Sequence, residues 1–156
     1  MRPLMISIFA AALLSSPLSG QSKPAQQEQQ QRESIVAFVR SYVDANNRAD
    51  VDAMVAMMSR NPSASGVTLG VITRGWEALR AQADSSAGTE GTFRLAVGSP
   101  DVTALGNGHA LVVSGVTLTI ETEQGPVQMR GAWSLVLERA AGGWKILHGH
   151  VSLPLE

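Results

Sequence analysis

The apolar positions near the start of the predicted domain repeat with the period of an α-helix. Ile35, Val39 and Val43 follow one another at four-residue intervals. This spacing places them on one face and predicts a first helix over residues 33–48. Asp50 is suited to begin a second helix, because its carboxylate can accept a hydrogen bond from the free backbone N–H groups of a first turn.

The pattern then changes from helices to strands. Residues 65–73 alternate weakly and are rich in Val, Ile and Thr, which is typical of an edge strand. A short third helix is predicted from Gly75 onward. Beyond Gly88 helical spacing is absent, and turn signals separate five further predicted strands, at residues 92–97, 101–105, 109–121, 127–138 and 144–153.

Helices first and hairpin-linked strands afterwards indicate an α+β fold. The most specific hairpin signal is Asn107-Gly108, because both central residues of a type I′ turn need positive φ, which Asn and Gly tolerate best. We therefore expect one curved antiparallel sheet wrapped around three N-terminal helices.

The N-terminus has the layout of a secretory signal peptide. Arg2 precedes an apolar run over residues 4–14, and small residues follow up to Gly20. The run is shorter than the roughly 20 apolar residues that a membrane-spanning helix needs. Residues 1–20 are therefore predicted to be a signal peptide, residues 21–32 a Gln-rich linker, and residues 33–156 the domain. Since the chain has no Cys for lipid attachment, we expect a periplasmic or secreted protein without membrane contact after cleavage.

Composition and charge exclude several classes of function. The formal net charge is -1 and no Lys/Arg cluster is present, so no nucleic-acid partner is expected. The chain lacks a Cys nucleophile, the G-x-S-x-G pattern and the glycine-rich phosphate-binding patterns, so no cofactor is predicted. His148 and His150 have metal-ligand spacing, but no Cys and no nearby carboxylate accompanies them, and no metal is predicted either.

Three passages resemble the SnoaL-like and ketosteroid isomerase branches of the nuclear transport factor 2-like superfamily. Residues 41–54, SYVDANNRADVDAM, are similar to the passage between the first two helices, where an aromatic residue precedes N-x-x-D-x-D. Residues 73–80, TRGWEALR, resemble the R-G-x-x-A-L-R opening of the third helix, and residues 143–152, GWKILHGHVS, look like the last SnoaL-like strand. The resemblance implies a cone-shaped, cystatin-like fold with a pocket at the open end of the cone, and homodimers that pair through the sheet.

The resemblance also implies a role for Tyr42, which takes the position of the oxyanion-stabilising Tyr of ketosteroid isomerase. The alternative is a Tyr that packs in the core. The two carboxyl groups of that isomerase are not in place: Gly66 stands at the position of the base, and residues 131–134 stand at that of the second acid. Steroid isomerisation by that mechanism is therefore disfavoured.

The last predicted strand carries the most informative polar cluster. His148, His150 and Ser152 alternate, so a regular pleat places them on one face with Ile146. If that face lines the pocket, His148 or His150 acts with Tyr42 as an acid–base pair. If a β-bulge reverses the facing, the imidazoles are structural or interface groups.

Two tryptophans are expected to add apolar surface to the pocket. Trp76 and Trp133 suit a ring-containing ligand, although core filling is the simpler explanation for either ring. With Tyr42 and Ser152 they make up the predicted ligand pocket. The sequence favours binding of a small hydrophobic or ring-containing molecule, and the alternative is a cofactor-independent isomerase, cyclase, dehydratase or hydrolase that uses His148 or His150 with Tyr42.

Overall fold

The computed structural model describes residues 22–86 and 93–153, and the predicted signal peptide lies outside these ranges. The predicted α+β architecture is confirmed, with three helices ahead of the main run of strands. No helix in the described ranges is long and apolar enough to cross a membrane. The elements are α1 (Lys23–Asn47), α2 (Val51–Ala56), β1 (Ser65–Thr68), β2 (Val71–Arg74), α3 (Trp76–Ser86), β3 (Phe93–Val97), β4 (Asp101–Gly106), β5 (His109–Ile120), β6 (Val127–Ala140) and β7 (Gly143–Ser152).

The strands form one curved sheet in the order β2-β1-β7-β6-β5-β3, and β4 pairs with the first half of β5. Neighbouring strands are antiparallel except β1 and β7, which run parallel with Ser65 opposite His148. The pairing of β1 with β7 joins the start of the domain to its end. As a result, the strand that carries the two histidines lies in the interior of the sheet.

The core lies between α1 and the inner face of the sheet. Ile35 and Val39 are fully buried, and they pack in one cluster with Val112, Leu135 and Leu137. On β5 and β6 the buried residues alternate with more exposed ones, as expected for strands with one covered face. Burial of each large aliphatic side chain stabilises the fold by about 1.5–3 kcal/mol.

Helix α1 begins earlier than its apolar pattern predicts, at Lys23 and not at residue 33. Residues 22–30 are exposed, so no tertiary packing requires this extension. The helix continues there because Lys, Ala, Gln and Glu have high helix propensity, and Pro24 fits the first turn. The division of the chain into signal, linker and domain stays a prediction.

The junction between α1 and α2 is held by two polar side chains. The Oδ1 atom of Asp50 accepts a hydrogen bond of 3.0 Å from the backbone N–H of Ala53, which confirms the predicted helix cap. The side chain of Asn47 bonds the edge strand β3 twice, donating to the carbonyl of Leu95 at 2.9 Å and accepting from its N–H at 2.8 Å. These bonds attach the end of α1 to the wall of the sheet.

The segment predicted as one edge strand is a hairpin. β1 and β2 are antiparallel, and Leu69 and Gly70 form the turn between them with φ of 50° and 81°. Two positive φ values are the type I′ geometry that suits a two-residue hairpin. The prediction of a single strand over 65–73 is wrong because Leu is uncommon at positive φ, so Gly70 was the only turn signal.

Strand β7 contains a β-bulge at Leu147. On β6, Val136 pairs with His148 and Leu137 pairs with Ile146, which leaves Leu147 without a partner. One extra residue reverses the side of the sheet to which the following side chains point. The regular pleat expected for β7 is therefore interrupted, and Ile146 and His148 lie on opposite faces.

Candidate functional site

The curved sheet and the helices enclose a cavity of about 550 Å³. Its lining comes from α1, α2, α3 and the inner face of the sheet, and apolar side chains dominate it. Within the described residues no Asp, Glu, Lys, Arg or His borders the cavity. The main apolar contributors are Met54, Leu79, Phe93, Leu118, Trp133 and Val151.

Tyr42 lies on this cavity beside Trp133. The two ring centroids are 5.9 Å apart with the planes tilted by 35°. Within residues 22–86 and 93–153 we find no hydrogen-bond partner for the Tyr42 hydroxyl. Burial raises the pKa of Tyr42 from 10.0 to about 12, because the phenolate would lose hydration there. Tyr42 is therefore a neutral phenol with a hydrogen bond to offer to a molecule in the cavity.

Asn46 is a polar cavity residue that the sequence analysis missed. It lies one helical turn after Tyr42 on α1 and also borders the cavity. Among the described residues, the one hydrogen-bond contact of its amide nitrogen is with the sulfur of Met54, at 4.0 Å, which is a weak acceptor. The sequence could have predicted Asn46 as a cavity residue from its four-residue spacing to Tyr42, because residues at that spacing share one face of a helix.

Gly66 and Gly131 both face inward, and the resemblance to ketosteroid isomerase assigns Gly66 to the position of the base and residues 131–134 to that of the second acid. Gly66 borders the cavity, and a Cβ built on it would lie 3.2 Å from the Cδ2 atom of Leu79. A Cβ on Gly131 would lie 2.0 Å from the carbonyl oxygen of Ser152, so no side chain fits there. Among the described residues that border the cavity there is no carboxylate, and the close approach at Gly131 excludes any side chain at that position.

The histidine cluster lies on the outer face of the sheet, away from the cavity. Beyond the bulge, Gly149 and Val151 border the cavity, and the residues that alternate with them point outward. The Nδ1 atom of His148 lies 2.9 Å from Oγ of Ser65. His150 and Ser152 are exposed. The expected pairing of an imidazole with Tyr42 is therefore not formed, and Ser152 does not line the pocket.

Solved structures with the same fold are known from bacteria and an animal. A Mycobacterium tuberculosis protein of unknown function gives a TM-score of 0.75 at 19% identity, over 88% of this chain and 79% of that one. An NTF2-like protein with a cystatin-like fold from Novosphingobium aromaticivorans gives 0.71 at 15% identity, over 87% and 91%. The association domain of C. elegans CaMKII gives 0.68 at 21% identity, over 81% and 98%. No curated protein sequence matches the chain significantly.

The family follows from the sequence match. The model of the SnoaL-like domain matches residues 35–156, which includes every strand and all but the polar start of α1. The chain belongs to the SnoaL-like domain family. The structural neighbours have low identity, so for this SnoaL-like domain they establish the fold alone.

Trp76 of this SnoaL-like domain lies in a different cleft from Tyr42. The guanidinium of Arg60 lies 4.4 Å from the centroid of its ring, in a charged cleft of about 630 Å³ that Arg80 and Lys145 also border. Trp76 belongs to the first turn of α3, whereas the α3 residues on the cone come later in the helix, from Leu79 onward. The prediction that Trp76 shares a pocket with Tyr42 is wrong, while Trp133 does lie there.

The described part of the SnoaL-like domain contains no group of three or more His, Cys, Asp or Glu side chains that could hold a metal ion. His148 and His150 are neighbours on one outer face, but within the same described residues they belong to no such group. The described residues that border the cone offer hydrogen bonds and apolar contacts to a bound molecule.

Proposed function

We propose that this SnoaL-like domain binds a small, uncharged, hydrophobic or ring-containing molecule in the cone. The observation that carries the proposal is the lining of the cavity. Among the described residues the lining is uncharged throughout, and it includes the half-buried Tyr42, whose hydroxyl has no hydrogen-bond partner among those residues. Apolar walls give affinity through the burial of ligand surface. A charged ligand would lose hydration without meeting an opposite charge.

The polar groups of the cavity further define the ligand. Within the part of the chain that the structure describes, neither the Tyr42 O–H nor the Asn46 amide N–H has a strong acceptor, and both residues lie on one side of α1. A ligand carbonyl can accept from such donors, and a hydrogen bond of this kind contributes about 1 kcal/mol. The best match is therefore a mainly apolar molecule with one carbonyl or similar acceptor.

Binding of fluorene and fluorenone tests this proposal, because the two ring systems differ by one carbonyl. We expect the wild type to bind fluorenone about fivefold more tightly, measured by quenching of tryptophan fluorescence. Tyr42→Phe should remove most of that preference. Ser134→Ala deletes a hydroxyl on the outer face and should leave it unchanged. Failure of both compounds to bind would refute the proposal, and a preference that survives Tyr42→Phe would refute the role of Tyr42.

A histidine-based isomerase, cyclase, dehydratase or hydrolase has less support. His148 and His150 lie across the sheet from Tyr42, so neither can exchange a proton with a ligand bound beside it. The cone also lacks a carboxylate base among its described residues. Binding without chemistry is therefore the function that the geometry supports best.

We also propose that two copies pair through the outer face of the sheet. Val113 is 42% exposed in the middle of that face, where burial against a partner would be favourable. One structural neighbour is an association domain, which supports the idea by analogy. Light scattering on the eluting protein should show a dimer, and Val113→Glu should yield a monomer, whereas Leu105→Glu on β4 should not. A monomeric wild type would contradict this.

Export is the remaining element of the proposal, and its support is the N-terminal sequence. Residues 1–20 have the signal-peptide layout described above. We expect the mature protein to be recovered from the periplasm or the medium with a new N-terminus near Gln21. Mass spectrometry of the purified protein decides this, and an intact Met1 on cytoplasmic protein would contradict it.

A further inference from the structure

The tip of the β1–β2 hairpin combines two unfavourable features in one residue. Leu69 has φ of 50°, in the left-handed region that Gly, Asn and Asp tolerate best. Its side chain is 56% exposed, so the fold gains little from burying it. An Asn at this position would suit the type I′ turn better. Leu69 therefore does not help the hairpin to form, and its presence needs another explanation.

Leu69 lies at the rim of the cone. It borders the cavity although more than half of its side chain is exposed, so it reaches from the lining to the solvent. Gly66 faces the cavity, and alternation along β1 places Thr68 on the same face. Val71 pairs directly with Thr68 and is 62% exposed. Leu69 and Val71 thus form an apolar lip on the cavity side of the hairpin.

We propose that this lip, residues Leu69 and Val71, contacts the bound ligand and selects molecules long enough to reach it. This inference rests on the proposed function and deepens it. The ligand class is then an uncharged ring system with an aliphatic tail. The rings lie against Trp133 and Tyr42, and the tail crosses the rim and covers Leu69. Covering an exposed Leu removes its apolar surface from water, and this gain occurs only in the complex.

The test uses fluorenone with and without an alkyl tail, and the variant Leu69→Asn. We expect Leu69→Asn to weaken binding of the tailed probe by about fivefold to tenfold, which is the effect of uncovering roughly half of a Leu side chain. Binding of tail-free fluorenone should not change. The same variant should unfold at an equal or higher temperature, because Asn relieves the turn.

Leu105→Asn is the matched control, since Leu105 is 52% exposed on β4 and does not border the cavity. It should affect neither probe. The inference is overturned if Leu69→Asn binds the tailed probe as the wild type does, or weakens both probes equally. If the wild type prefers fluorenone in a Tyr42-dependent way, but Leu69→Asn binds the tailed probe as tightly as the wild type does, only the role of the lip is refuted. A wild type that binds no probe refutes the proposed function together with it.

Discussion

At Gly131 the backbone at the end of β7 lies close to β6, and a methyl group added there should destabilise the domain. In Gly131→Ala the new Cβ would lie 2.0 Å from the carbonyl oxygen of Ser152 and 3.0 Å from Cδ2 of Leu153. Carbon–oxygen contacts in sheets are normally about 3.3 Å or longer, so the backbone must move by more than about 1 Å. Forcing an extra carbon into such a space costs about 1–3 kcal/mol. We expect the upper part of that range, because the obstructing atom belongs to the backbone and not to a flexible side chain.

Gly115→Ala, in the same sheet, should change the free energy of unfolding in the opposite direction. A Cβ on Gly115 would have its nearest neighbour at 4.0 Å, which is ordinary contact. Replacing a strand glycine without a clash should stabilise the fold by about 0.5–1 kcal/mol, since the unfolded chain loses freedom. Urea denaturation followed by tryptophan fluorescence measures both variants. If Gly131→Ala unfolds at the same urea concentration as the wild type or Gly115→Ala, the close approach at Gly131 does not constrain the fold and our reasoning fails.

Three further predictions concern the bulge, the helix cap and the buried phenol. Deletion of Leu147 should remove the bulge and make Ile146 and His148 consecutive residues that keep their partners on β6 and their opposite faces, so we expect cooperative thermal unfolding to persist; loss of a cooperative transition would contradict the register argument. Asp50→Ala should lower the free energy of unfolding in urea by about 1 kcal/mol through loss of the cap, whereas the exposed Asp52→Ala should cost less than half as much. The pKa of Tyr42 is raised to about 12, so the unfolded chain ionises first and stability should fall between pH 10 and 12. Relative to Tyr42→Phe the loss should be about 1.4 kcal/mol at pH 11, and equal pH profiles for the two proteins would show that the phenol is not buried.

Features that depend on neighbours in the sequence were predictable. The turn at Asn107-Gly108 forms as expected, with φ of 47° and 75°, because its signal consists of two adjacent residues with known backbone preferences. Asp50 caps α2 for the same reason: the acceptor and the N–H that it binds are three residues apart. The buried face of α1 follows from a four-residue period that includes Ile35 and Val39.

The site was predictable only in part. Tyr42 and Trp133 lie on the cavity, and the resemblance to relatives was enough to suggest both. The position of Asn46 on the cavity could have been predicted from its four-residue spacing to Tyr42, but no sequence motif pointed to it. The sequence did not predict the lip at Leu69, because Leu is uncommon at positive φ and therefore does not indicate a turn.

The sequence by itself determined the α+β order of elements, the family, and the absence of carboxylates at the two positions that the resemblance to ketosteroid isomerase assigns to them. The tertiary structure decided on which side of the sheet each polar residue of β7 lies. The bulge at Leu147 arises from the register between β6 and β7, in which Ile146 and His148 pair with adjacent residues of β6. A register is selected by packing of the whole inner face against α1, so local alternation could not show it. One unpaired residue therefore turned a predicted catalytic cluster to the outer surface and left the cone uncharged among its described residues.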